Sequence, residues 1–181
     1  MKKLLLIVVI LMQPVYGAKP KLPASVDGEL QELARFCRLL GGRPHGFQRA
    51  VGRADLNGDG INDYVVDDGE LQCYGTDGVG IFGNRNGGGV TVFLGRADGE
   101  AEKAFYYSVF GSKIYYVGKQ AKLYLGMAGT YCGQTPESEK RDGYEKCSRP
   151  LKWNDKLRRF QIDMQTKRTA LYWQPPGSQA G

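Results

Sequence analysis

The chain has 181 residues, 41% hydrophobic and 24% charged, with a formal net charge of +6. That length suits one domain with its own core. The basic residues are scattered over an early and a late group (Arg35, Arg38, Arg43, Arg49, Arg53; Lys152, Lys156, Arg158, Arg159, Lys167, Arg168), which is no nucleic-acid signature.

Met1-Lys2-Lys3, an apolar run over 4–12 and the small residues before Ala18 have the three parts of a secretory signal, with cleavage expected after Gly17. The apolar run is too short to span a bilayer, and no second one approaches that length. No Cys follows the cleavage region, against lipid anchoring. The style of the signal is bacterial, so the mature chain is expected in the periplasm or secreted. Losing Lys2 and Lys3 lowers the net charge by two.

Residues 18–24 read as extended. Ser25 is placed to cap a helix over 26–40, where Val26, Leu30, Leu33, Cys37 and Leu40 share one apolar face, ended by Gly41 and Gly42. This is expected to be the only substantial helix. His45, the single histidine, follows in a turn.

A strand over 50–53 leads into Asp55-Leu56-Asn57-Gly58-Asp59-Gly60-Ile61-Asn62-Asp63. Side-chain oxygens fall at positions 1, 3, 5 and 9 (Asp55, Asn57, Asp59, Asp63). Gly60 allows the sharp turn at position 6, and the Ile61 carbonyl offers a further oxygen at position 7. This spacing supplies the hard oxygens that Ca2+ requires. Three carboxylates within nine residues repel one another, a cost that a plain Asp/Asn/Gly turn has no reason to bear. Position 12 is Val66 where an EF-hand has its bidentate Glu, and the flanking helices are missing.

A strand follows over 64–67, then a glycine-rich loop over 75–89, then Gly88-Gly89-Val90-Thr91-Val92-Phe93-Leu94-Gly95. Over 50–95 this resembles the calcium-loop unit of FG-GAP and VCBS repeats, the blade units of integrin-type β-propellers. The resemblance implies a blade-like antiparallel unit around Ca2+. A single copy closes no propeller, so the unit is expected to be built into another fold. Asp67, Asp68 and Glu70, just after the loop, can add an outer ligand or be solvated, and Asp67, alternating with Val66 on the strand, is placed to face the metal. The Gly-x-Gly pieces of the 75–89 loop open no helix after a strand, so a phosphate-binding loop does not fit. A mobile surface loop fits better, and such loops can carry binding functions.

Further strands are expected over 90–94, 103–110, 114–117 and 122–127, with a hairpin over 150–162 turning at Asn154-Asp155-Lys156 and burying Leu151, Trp153, Phe160 and Ile162. Residues 174–181 read as a flexible tail. The domain therefore runs over 25–173. Its fold class is mainly β (an antiparallel sheet, small sandwich or blade-like unit) with one N-terminal helix.

Four cysteines in an oxidising compartment imply two disulfides. Three pairings exist. Cys37–Cys73 and Cys132–Cys147 are favoured, the first tying the helix to the calcium unit and the second closing a polar loop. Zinc is disfavoured by the single His and the lack of C-x-x-C spacing.

No catalytic set emerges. His45 reads as an exposed turn residue, G-x-S-x-G is missing, and no glutamate pair is picked out by its context. The eleven tyrosines cluster on expected strands and suit either sheet packing or an aromatic binding face. The leading expectation is a non-enzymatic calcium-binding domain, monomeric alone, in which the metal stabilises the fold and a protein or envelope component is the partner. The alternatives are a periplasmic inhibitor or immunity-type protein, and an envelope-polymer hydrolase.

Overall fold

The computed structural model describes residues 21–75, 82, 87–170 and 178–180, the last three by backbone only. The signal over 1–17, most of the 75–89 loop and residues 171–177 lie outside the described residues. In chain order the elements are α1 (Ala24–Leu39), β1 (Arg43–His45), β2 (Val51–Ala54), β3 (Asp63–Asp67), β4 (Gln72–Tyr74), β5 (Gly88–Gly95), β6 (Ala101–Val109), β7 (Ser112–Val117), β8 (Gln120–Ala128), α2 (Pro136–Asp142), β9 (Lys146–Asn154), β10 (Arg159–Ile162), β11 (Thr169–Ala170) and β12 (Ser178–Ala180). Short 3₁₀ turns follow β3 (Asp68–Glu70) and β8 (Gly129–Cys132).

All strand pairs are antiparallel. One sheet has the order β2-β3-β5-β6; a larger one has the order β10-β9-β8-β7-β12, with β11 also on β9; β1 and β4 form a separate ribbon. Helix α1 lies on one face of the four-stranded sheet, where Val26 and Leu30 meet Val66, Phe93 and Ala101. The other face of that sheet places Val65, Val90, Val92 and Val109 against Leu123, Leu125, Met127, Leu151 and Phe160 of the larger sheet. The molecule is thus three layers deep, and the four-stranded sheet is the middle one. Burial on both faces explains why β5 and the centre of β3, Tyr64-Val65-Val66, read as apolar runs without alternation. In β8 buried Ala121, Leu123 and Leu125 instead alternate with half-buried Lys122 and Tyr124.

The mainly-β class and the N-terminal helix are as the sequence predicts, and the helix ends with Gly41 at a left-handed φ of 79°. Both favoured disulfides are present, Cys37–Cys73 and Cys132–Cys147. Several details differ. Pro23, not Ser25, occupies the cap position of α1; the Ser25 hydroxyl donates instead to the Ala101 carbonyl at 2.6 Å, fastening the helix start to β6. Strand β9 begins four residues before Pro150 and runs through it, because the Pro150 carbonyl still accepts from the Asp163 N–H. A second, seven-residue helix α2 exists, closed by a Thr135/Ser138 capping box. Within the expected loose tail, Ser178–Ala180 pairs with β7.

Candidate metal centre

Strands β2 and β3 pair from Val51↔Val66 to Ala54↔Asp63, so the segment from Asp55 to Asn62 is the connection of a hairpin. Gly58 and Gly60 take φ of 84° and 85°, which folds this connection into a tight coil. The side chains named from the sequence then bind the coil to itself. The Asp55 carboxylate accepts from the N–H groups of Gly58 (2.6 Å) and Gly60 (2.9 Å). The Asn57 amide accepts from the Asp59 N–H (3.0 Å) and donates to the Asp59 carboxylate (2.8 Å). Asp59 also accepts from the Ile61 N–H at 2.8 Å, so Ile61 joins the lattice through its nitrogen.

Asp63 is different in kind. It is fully buried at the start of β3. One carboxylate oxygen accepts from Leu56 N–H (2.9 Å), at the loop entrance, and the other from Gly95 N–H (3.0 Å), at the end of β5. Gly95 permits this approach, since a Cβ there would overlap the Asn62 carbonyl oxygen. Burial pushes the Asp63 carboxyl up to about 6; the two N–H bonds oppose this, and the charges of Asp59 and Asp55 add to it.

These residues suit a hard cation. Each carboxylate oxygen of Asp55, Asp59 and Asp63 receives one hydrogen bond, and an ionised carboxylate oxygen has a second lone pair to offer. The donors are all oxygen, the ligand type that Ca2+ and Mg2+ prefer. Among the described residues, however, no three His, Cys, Asp or Glu side chains close into a ready metal cluster. The loop is a set of spaced oxygens held by backbone N–H groups.

Asp67 does not point toward this loop. It is nearly buried at the other end of β3, where it accepts from the Ser112 N–H (2.9 Å) and hydroxyl (2.6 Å) of β7 and from Gly69 N–H (3.0 Å). It is therefore neither an outer ligand of the loop nor a solvated group, and burial pushes its carboxyl upward. The next residue, Asp68, accepts from Gly89 N–H at 2.5 Å, and burial raises its carboxyl to about 6. The sequence offered Asp68 only as an outer ligand of the loop or a solvated group, and it is neither: it ties the turn after β3 to the start of β5. The only signal was the Gly88-Gly89 pair opening β5, where a Cβ on either glycine would collide with the Asp68 carboxylate.

His45 is exposed on the β1–β4 ribbon, its ring 5.9 Å from that of Tyr74. The tyrosine pairs split by strand alternation. Tyr107 packs on the core and bonds Tyr131 hydroxyl to hydroxyl at 2.6 Å, while Tyr106 is exposed. No helix among the described residues is long and apolar enough to cross a membrane. No family of known proteins, no curated protein and no solved structure matches the chain.

Proposed function

We propose that this chain is an exported domain whose 55–63 loop binds one Ca2+ as a structural ion, and that it works by binding an envelope or extracellular component. The observation that carries the metal reading is the Asp63 carboxylate, buried between two sheet elements with the charges of Asp55 and Asp59 pressing on it. A divalent cation held by Asp55, Asn57, Asp59, Asp63 and the Ile61 carbonyl would supply the missing countercharge. The resemblance of the loop to FG-GAP units favours the same ion. Neutralising the carboxylates would stiffen the β2–β3 hairpin and keep Asp63 charged where it joins Leu56 to Gly95. Binding free energy here becomes folding free energy.

Export is supported by the signal-like N-terminus and fits the two disulfides, which persist in oxidising compartments. A binding role without chemistry is supported by the use of all four cysteines in disulfides and by the exposed ribbon position of His45. The test is calcium titration of the oxidised mature chain by calorimetry, with thermal unfolding alongside. Saturable one-to-one binding near 10⁻⁴–10⁻³ M, the range of extracellular calcium modules, with a raised Tm, both lost in Asp59→Ala, is the expected result. A flat titration of the wild type would remove the metal reading. Sequencing the exported chain from its N-terminus checks the compartment, Ala18 being the expected first residue.

A further inference from the structure

Next to the loop lies a cleft of about 730 Å3 whose walls include Asp55 and Asn57 on one side and the β7–β8 turn, β8 and β9 on the other. Its size is within the range of small-molecule sites. Three lysines line it: Lys119 in the turn, Lys122 on β8 and Lys152 on β9. None of the three closes an ion pair among the described residues. Lys152 acts electrostatically on Asp163. The Asp163 oxygens accept from the N–H groups of Gln165 and Thr166 and from the Thr166 hydroxyl, and no ion pair within 4 Å joins Asp163 to Lys152. Three ammonium groups that line one cleft and close no such ion pair offer charge-assisted donors to an entering anion.

The rest of the lining narrows the anion. The half-buried ring of Tyr124 and the edge of Trp153, whose ring packs on Phe160 with Arg158 over it, give apolar surface, and the amide of Gln120 and hydroxyl of Thr166 are hydrogen-bonding groups of the same lining. A pyranose has the matching mixture of apolar C–H face and hydroxyl rim. Three aspartates in the lining (Asp55, Asp155, Asp163) balance the three lysines. A divalent ion on the adjacent loop would shift that balance by two positive charges.

We infer that this cleft binds an acidic saccharide, a sugar bearing carboxylate or phosphate, with Lys119, Lys122 and Lys152 holding the anionic group and loop-bound calcium strengthening the hold. The last clause rests on the calcium reading above; the lysine site does not.

The experiment titrates the oxidised mature chain with galacturonate oligosaccharide, glucose 6-phosphate, neutral maltose and inorganic phosphate, each in calcium and in chelator. Calcium alone is titrated first. The expected result is binding of at least one acidic sugar and none of maltose. Affinity should fall about tenfold in the triple variant Lys119→Gln/Lys122→Gln/Lys152→Gln and measurably in Lys119→Gln alone, since charge-assisted bonds of this kind are each worth up to about a factor of ten. Unchanged thermal unfolding shows that the variants fold. The galacturonate and glucose 6-phosphate arms separate carboxylate from phosphate as the recognised group. No acidic-sugar binding, undiminished binding in the triple variant, or inorganic phosphate binding as well as either sugar would overturn the inference. Calcium binding without sugar binding would sink the cleft and leave the metal reading standing. Lysine-dependent sugar binding without calcium binding would do the reverse. Equal sugar affinity in calcium and chelator, with calcium shown to bind, would overturn the coupling.

Discussion

The two ends of β3 solve one problem with different chemistry. Each places a buried aspartate, Asp63 or Asp67, on the same face of the strand, since four residues separate them. Each carboxylate gathers backbone N–H groups from distant elements: Leu56 and Gly95 at one end, Gly69 and Ser112 at the other. At the Asp67 end a hydroxyl, that of Ser112, adds a third bond, and that junction is complete as it stands. At the Asp63 end no hydroxyl joins in and the charges of Asp59 and Asp55 add to the burial, which is the charge the proposed cation would offset. Equal burial therefore does not make equal sites. What surrounds the carboxylate separates a candidate metal centre from a structural pin.

The largest expected effect comes from removing either pin. Asp63→Ala strands two N–H groups in a buried place, at about 1–3 kcal/mol each, so a loss of about 4 kcal/mol is expected in urea unfolding, together with loss of calcium binding. Asp67→Ala should cost a similar amount and leave calcium affinity unchanged within about twofold. Abolished calcium binding in a still-folded Asp67→Ala chain would erase the distinction between the two ends.

Strand β5 offers a gentler version of the same contrast, because its terminal glycines sit beside these junctions. Gly95→Ala drives a methyl into the backbone carbonyl of Asn62, whereas Gly88→Ala meets first the Asp68 side chain. Backbone yields less than a side chain, so Gly95→Ala should cost about 3 kcal/mol and Gly88→Ala about 1 kcal/mol. Equal Tm values for the two variants would show that both junctions give way with the same ease.

Much of this was legible in the sequence, and the exceptions have physical causes. The helix and the apolar strands follow from local pattern, and of the three pairings open to the four cysteines the favoured one is formed. Ribbon strands β1 and β4 have three residues each, one of them Pro44, too few for alternation to register; Cys73 within β4 carries the bond to α1. Helix α2 has no buried residue, so no apolar period announces it, and its capping residues are the only trace. The Asp67 contact with Ser112 spans 45 positions and depends on how the two sheets stack. Asp63 was legible as a ligand type, but its bond to Gly95, 32 positions away, was not.

The smallest effect is a pH response at the Asp67–Asp68 end. Burial raises the Asp68 carboxyl to about 6, with Asp67 and Glu29 adding repulsion and the Gly89 N–H opposing. In the unfolded chain the same group titrates in the ordinary aspartate range, near 4. Between those values the folded chain holds a proton that the unfolded chain has released. Stability contributed by this group therefore rises as pH falls from about 7 toward 4, and flattens below. Asp67, also raised by burial, acts in the same direction. At the other end the sense is opposite when calcium is present, because ligating carboxylates must be deprotonated and protons displace the metal. Urea unfolding in chelator across this range should show the rise, to which Asp63 and Asp67 also contribute, and Asp68→Asn should make it shallower, since an amide has no proton to gain. An unchanged slope in that variant would place the proton uptake elsewhere and remove Asp68 from the account of this junction.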